Sequence, residues 1–228
     1  MRCYVAIMLI AEKFLLLVID DGSGKRIIGR DRLEPALGGA VLAELAVRKR
    51  IGITGDDAGL LRRRRVMVID PAPTGDELLD QLLTKIGAKP DQKAGNLITA
   101  TKKLPEQLTD RLIAAGVLSE EQGRILGLFP TRSWPTVDPG PEHAVRQWLQ
   151  AALIAGATPD DQTRVLIALL TATDSLTKVV PSDDKRAVRA RAKELNKDDW
   201  IGREVKQVID EVTAAVTAAV VASASSSG

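Results

Sequence analysis

Apolar residues recur at helical spacing along this chain, and that pattern limits what it can fold into. One helical stripe lies within residues 35–48, and comparable stripes follow at 78–86, 165–170 and 205–216. Aromatic residues make up only 3% of the chain, so Leu, Ile, Val and Ala must fill the core. Such a core favours packed helices over a β-sandwich, which is rich in β-branched and aromatic residues.

Capping residues predict where some of these helices begin. Pro35 is expected in the first turn of its helix, where its missing N–H leaves no hydrogen bond unmade. Thr74, with Glu77 three residues later, has the spacing of a capping box. A long helix is expected over residues 97–115, interrupted near Pro105.

Short β-hairpins are expected between the helices. Residues 51–53 and 66–69 are rich in Ile and Val and are separated by a segment containing Gly and Asp. Residues 124–134 have no helical period and contain Pro130, which predicts a turn or hairpin with exposed apolar side chains. Together these segments predict a single, mainly α domain with a few short strands.

The residue types that most enzymes and metal sites require are scarce. Cys3 and His143 are the single cysteine and the single histidine, so an intrachain disulfide and a thiolate metal cluster are excluded. No phosphate-binding loop or nucleophile elbow is present. We therefore expect no enzymatic activity, no cofactor and no metal, in a cytoplasmic protein.

Positive charge is concentrated in the first 65 residues, although the formal net charge of the chain is only +2. Two basic groups stand out, one around a turn and one before a helix: Lys25, Arg26, Arg30 and Arg32, and then Lys102 and Lys103. If the fold brings them together, they form an anion pocket the size of a lipid headgroup. Nucleic acid is not an expected partner.

The predicted hairpin carries apolar residues between two arginines. Leu126, Leu128 and Phe129 lie between Arg124 and Arg132, a pattern that suits insertion into a membrane interface beside anionic headgroups. The same residues could instead fold inward or form a protein interface. No run reaches the roughly 18 apolar residues of a membrane span, so peripheral contact is expected.

Six segments in order resemble the Golgi phosphoprotein 3 family, over about residues 8–220. They read LIAEKFLLLVIDD, ALGGAVLAELAVRKRI, DPAPTGDELLDQLL, RLIAAGVLSEE, LGLFPTRSWP and LLTATDSLTKV. The composition, rich in Ala and Arg, resembles members of actinobacterial type from high-GC bacteria. The resemblance implies a central helical bundle ringed by further helices and loops.

The resemblance also implies a function. Family members bind phosphatidylinositol 4-phosphate on a basic face, and an apolar hairpin beside it assists membrane contact and self-association. Eukaryotic members act as adaptors that retain glycosyltransferases, and no catalytic activity is implied. We therefore expect a protein peripherally associated with the inner face of the membrane, with an anionic lipid as partner and possible homo-oligomers through residues 124–134.

The family's headgroup residues carry over only in part. The positions of its Trp and three Arg correspond to Gly29, Gly38, Lys102 and Pro105, so Lys102 alone keeps the charge.

Residues outside that correspondence complete the predicted site. The predicted headgroup residues are Lys102, Lys103, Arg30 and Arg32, and the predicted membrane or partner hairpin residues are Leu126, Leu128, Phe129 and Arg132. The alternative is a soluble interaction adaptor or oligomer that has lost phosphoinositide binding and uses the same hairpin for a protein partner.

The resemblance also suggests how the chain is divided. The family-like domain is expected over residues 8–221, and Met8 is a candidate initiator that would make residues 1–7 an annotation artefact. Residues 222–228, rich in Ser, are expected to form a disordered tail.

Overall fold

The computed structural model describes residues 5, 7–54, 64–90, 92–99, 103–125, 129–197 and 203–226. Within these ranges the protein is mainly helical with a few short antiparallel strands, as the sequence predicts. The elements are α1 (Ile10–Leu17), α2 (Arg30–Val47), β1 (Ile51–Thr54), β2 (Arg65–Val68), α3 (Glu77–Ala88), α4 (Ala94–Thr99), α5 (Leu104–Ala114), β3 (Glu121–Ile125), β4 (Phe129–Ser133), α6 (Gly140–Leu153), α7 (Asp161–Ala172), α8 (Leu176–Val179), α9 (Lys185–Lys197) and α10 (Arg203–Ser226).

Helix α2 is the centre of the bundle. Its middle and C-terminal turns are buried, and α1, α4, α5, α7 and α10 all pack against it. A Cβ atom at Gly39 would lie 2.8 Å from Val216 Cγ2 and 3.0 Å from Val212 Cγ1 of α10. The glycine therefore allows α2 and α10 to approach closely.

Helix α1 is buried on every side. All eight of its residues are buried, including Glu12 and Lys13. Glu12 is satisfied by the Leu9 N–H at 2.9 Å and by Arg111 Nε at 2.8 Å. The Lys13 ammonium donates to Gln162 and lies 5.5 Å from the centroid of the Trp148 ring. These partners offset the cost of burying charged groups.

Two predicted helix starts are wrong. Helix α2 begins five residues before Pro35, which therefore lies inside the helix rather than in its first turn. Helix α3 is capped by Asp76, whose Oδ1 accepts the N–H groups of Leu78 and Leu79. Thr74 instead donates its N–H and hydroxyl to Asp80 Oδ1, each at 2.7 Å.

The interruption predicted near Pro105 is confirmed. Helix α4 ends at Thr99 and α5 begins at Leu104, so Pro105 lies in the first turn, where it removes no helical hydrogen bond. Helix α5 ends at Ala114, and Gly116 follows with φ of 72°.

Both predicted hairpins are present. Strands β1 and β2 pair antiparallel, with Ile51 opposite Val68, and β3 and β4 pair with Glu121 opposite Ser133 and Ile125 opposite Phe129. Residues 126–128, which join β3 to β4, lie outside the described residues.

Helix α10 is long and apolar enough over Val205–Ser225 to cross a membrane, by length and composition only. One face of it lies in the core, where Val208, Val212 and Val216 are buried. Core helices of soluble proteins can have the same length and the same apolar composition, so these two properties alone do not indicate a membrane span. The helix continues to Ser226 and so includes most of the segment expected to form a tail.

Candidate functional site

A turn in residues 20–24 attaches the chain after α1 to the end of the second hairpin. The Trp134 N–H donates to the Gly24 carbonyl at 2.7 Å. Gly24 has φ of 63°, and a Cβ atom there would lie 2.8–3.0 Å from backbone atoms of Trp134 and Pro135. Glycine is therefore required at this junction.

This junction places Arg26 against Trp134. The guanidinium carbon of Arg26 lies 4.3 Å from the centroid of the indole ring, which is cation–π geometry. Burial lowers the pKa of the Arg26 guanidinium, which nevertheless stays protonated at neutral pH. Its Nε is buried and has no hydrogen-bond partner among the described residues. Arg26 is therefore held at a fixed position by its contact with Trp134.

A pocket of about 310 Å³ opens beside this stack. It is formed by the chain after the turn, the start of α2, one face of α5 and the base of the β3–β4 hairpin. Its lining residues are Arg26, Arg30, Glu106, Thr109, Asp110, Glu120, Arg132 and Trp134.

The charges around this pocket are balanced, with three guanidinium groups facing three carboxylates. Arg30 pairs with Glu34 and, through Nη2 at 3.1 Å, with Glu106 Oε1. Arg132 Nε lies 3.5 Å from Glu120 Oε1. The side chains of Arg30 and Arg132 are 59% and 65% exposed, so both can reorient toward a ligand.

The structure brings together two of the predicted site residues that had no sequence link. Arg30, predicted for the headgroup, and Arg132, predicted for the hairpin, line the same pocket. Lys103 is exposed and immediately precedes α5, the helix that carries Glu106.

Arg32 is not part of this pocket. Its Nη1 donates to the Thr173 carbonyl at 3.0 Å, on the side of α2 that faces the end of α7. Two residues along a helix correspond to about 200° of rotation, so Arg30 and Arg32 point in opposite directions.

Several predicted residues fall outside the described residues. They are Lys102, Leu126 and Leu128. For Phe129 the structure describes only the backbone, which pairs with Ile125.

Sequence reasoning did not select Arg26 or Trp134. Arg26 appeared only as one member of a loose basic group, and Trp134 only as the end of the hairpin segment. The turn signal in residues 20–24 was the available clue, because it predicts that Arg26 follows a chain reversal. Nothing local indicates that the hairpin end lies against that reversal.

A second polar cluster is structural. Arg111 joins Glu12 and Asp76, and Glu44 accepts the Ile10 N–H at 2.8 Å and Arg48 Nε at 2.8 Å. Its carboxylates are thus engaged in holding helices together. Among the described residues, no group of three or more His, Cys, Asp or Glu side chains could hold a metal ion.

Comparison with known proteins gives consistent results. The model of the Golgi phosphoprotein 3 (GPP34) family matches residues 10–212. Vacuolar protein sorting-associated protein 74 from Eremothecium gossypii is 29% identical over 161 residues, which are 63% of this chain and 48% of that relative. The chain spans about half the length of this relative. Because the family model covers most of the chain, this protein belongs to the Golgi phosphoprotein 3 family.

Proposed function

We propose that this protein is a non-enzymatic peripheral membrane protein that binds an anionic lipid headgroup in the pocket beside Trp134. The observation that carries the proposal is the convergence of Arg26, Arg30 and Arg132 on one pocket. These arginines come from three separate segments, and guanidinium groups suit bidentate contact with phosphate oxygens.

The hairpin supports a membrane orientation for this pocket. Arg132 lies on β4, so the pocket opens at the base of the hairpin whose connecting residues include Leu126 and Leu128. A headgroup at Arg132 would place the hairpin beside the membrane surface, where apolar side chains can enter the interface. We propose that this surface is the cytoplasmic, inner face of the membrane.

Phosphatidylinositol 4-phosphate is the headgroup that the family resemblance implies. Lys102 and Lys103 precede α5 and are proposed to add positive charge at the pocket rim. Arg32 is left out because its guanidinium is bonded to Thr173 on another side of α2.

The second candidate function is that of a soluble adaptor, or a homo-oligomer formed through residues 124–134. One observation favours it, because Arg30 and Arg132 each already have a carboxylate partner. A charge-balanced pocket attracts anionic membranes less strongly than an uncompensated basic face.

Liposome flotation separates the two functions. The membrane function predicts that the protein floats with vesicles containing anionic lipid and stays behind with neutral phosphatidylcholine vesicles. Equal behaviour with both would overturn it. The adaptor function predicts no flotation, together with a protein partner that is lost in the Phe129→Asp variant.

A further inference from the structure

We propose that the pocket beside Trp134 selects its lipid by the hydroxyl groups of a sugar or cyclitol ring, and not by the charge of a phosphomonoester. This inference rests on the proposed function, because it concerns the headgroup bound at the same site. It differs from the family expectation by making the 4-phosphate dispensable.

The carboxylates that balance the charge of the pocket oppose the binding of a phosphomonoester. A phosphomonoester carries close to two negative charges near neutral pH, and Glu106, Asp110 and Glu120 would lie around it. Like charges at such short range destabilise one another. Arg30 could also contact the phosphate only in competition with Glu106, which lies 3.1 Å from its Nη2. The carboxylates therefore act against a doubly charged ligand.

The guanidinium donors and carboxylate acceptors of the pocket match the hydrogen-bonding capacity of ring hydroxyls. A hydroxyl both donates and accepts hydrogen bonds, whereas a phosphate near neutral pH mainly accepts them. The pocket offers carboxylate acceptors beside guanidinium donors, which suits a ring carrying several hydroxyls. A phosphate could accept from the guanidinium groups but could not donate to the carboxylates, whereas a ring hydroxyl could do both.

Arg26 lines the pocket, and its guanidinium is held against Trp134. A donor already fixed in place loses little entropy when it binds. The Nη groups of Arg26, and not its buried Nε, would therefore donate to a ring oxygen or to the single phosphodiester of the lipid. The pocket volume of about 310 Å³ lies at the small end for ligand sites and fits one ring with its phosphodiester.

The test compares vesicles of phosphatidylcholine with equal amounts of phosphatidylglycerol, phosphatidylinositol or phosphatidylinositol 4-phosphate. We expect phosphatidylinositol to bind about tenfold more tightly than phosphatidylglycerol, a ratio close to the value of one hydrogen bond to a charged group. Phosphatidylinositol 4-phosphate is expected to bind no more than about twofold more tightly than phosphatidylinositol, because the carboxylates oppose its extra charge.

The Glu106→Gln variant separates the two explanations through the ratio of binding to phosphatidylinositol and to phosphatidylglycerol, because the release of Arg30 and the loss of a negative charge act on both lipids alike. Recognition of hydroxyls predicts that the preference for phosphatidylinositol falls, because a charged acceptor is lost. Recognition of a phosphomonoester predicts that this preference is unchanged and that binding to phosphatidylinositol 4-phosphate gains most. Asp110→Asn is a second variant with the same expected sign, Glu194→Gln on the exposed side of α9 is the matched control, and thermal unfolding verifies that each variant folds.

Each outcome of this test supports or overturns the inference. Equal binding to phosphatidylglycerol and phosphatidylinositol would overturn it and leave the proposed function intact. A tenfold preference for phosphatidylinositol 4-phosphate over phosphatidylinositol, or an unchanged preference for phosphatidylinositol over phosphatidylglycerol in Glu106→Gln, would also overturn it. Absence of binding to all three lipids would overturn both proposals.

Discussion

Arg111 of α5 forms a bidentate ion pair with Asp76, the N-cap of α3. Nη1 lies 3.1 Å from Oδ1 and Nη2 lies 2.7 Å from Oδ2, while Nε reaches Glu12 of α1 at 2.8 Å. Three helices are thereby joined through one side chain. Burial alone would raise the pKa of Asp76, but Arg111 and the amides of Leu79 and Leu78 hold it below its ordinary value.

Replacing Asp76 by Asn tests the value of this ion pair. Asparagine caps a helix about as well as aspartate, so the cap survives while the charge is lost. We expect a loss of about 1.5–3 kcal/mol of unfolding free energy, the range for hydrogen bonds to charged groups. Urea unfolding measures it.

Asp160→Asn is the matched control for that variant. Asp160 caps α7 by accepting the Thr163 N–H at 2.8 Å and forms no ion pair with arginine among the described contacts. We expect a change within about 0.5 kcal/mol. Equal losses in both variants would show that Arg111 adds nothing to the cap at Asp76.

Gly24→Ala tests the junction that positions Arg26. The new Cβ would lie within 3.0 Å of backbone atoms that cannot move aside, at a residue with positive φ. We expect a loss of about 2–5 kcal/mol, from about 1–2 for the left-handed conformation and the rest for overpacking.

Gly75→Ala separates these two causes. Gly75 has φ of 81° but no atom within 4 Å of the position of a Cβ. The Gly75→Ala variant should therefore lose only about 1–2 kcal/mol of unfolding free energy, the conformational term alone. If thermal unfolding shows the same loss for both variants, the contact between Gly24 and the hairpin end does not constrain the fold.

The raised pKa of Glu142 predicts that the stability of the folded protein falls as the pH rises toward neutrality. Burial and the carboxyl of Asp21 raise its pKa from 4.5 to about 7, against the opposing effect of Arg146. The folded protein thus holds this proton more tightly than the unfolded chain. The contribution to stability is complete below pH 4.5 and is lost as the pH rises through 7, by up to about 3 kcal/mol.

The Glu142→Gln variant isolates this effect. It cannot ionise, so its stability relative to the wild type should improve between pH 5 and pH 8. Asp21→Asn should lower the pKa of Glu142 and reduce the slope. A constant difference between wild type and Glu142→Gln across this range would contradict the assignment.

Local signals predicted much of the fold. The break before Pro105 and both hairpins depend on residues that are neighbours in sequence. Helix α3 starts later than the Thr74 cap predicts, because Asp76 accepts the N–H groups of Leu78 and Leu79 while Thr74 is bonded to Asp80. Pro35 lies inside α2 because the packing of the whole helix outweighs the preference of one residue.

The candidate site was predicted less completely, for a geometric reason. Arg30 and Arg32 are equivalent in composition, but the helix turns them in opposite directions. Arg26 and Trp134 meet only because the turn at Gly24 docks on the hairpin end. Charge counting finds the basic residues, but tertiary packing decides which of them share a pocket.

The most direct measurement is vesicle binding by Arg26→Gln compared with Arg186→Gln. Both variants remove one positive charge, but Arg186 is exposed on α9, away from the pocket. With phosphatidylinositol in phosphatidylcholine vesicles, Arg26→Gln should bind about tenfold more weakly than wild type, the loss expected for one charge-assisted contact, and Arg186→Gln should bind normally. Wild-type binding by Arg26→Gln, or an equal loss in both variants, would contradict the pocket beside Trp134 as the headgroup site.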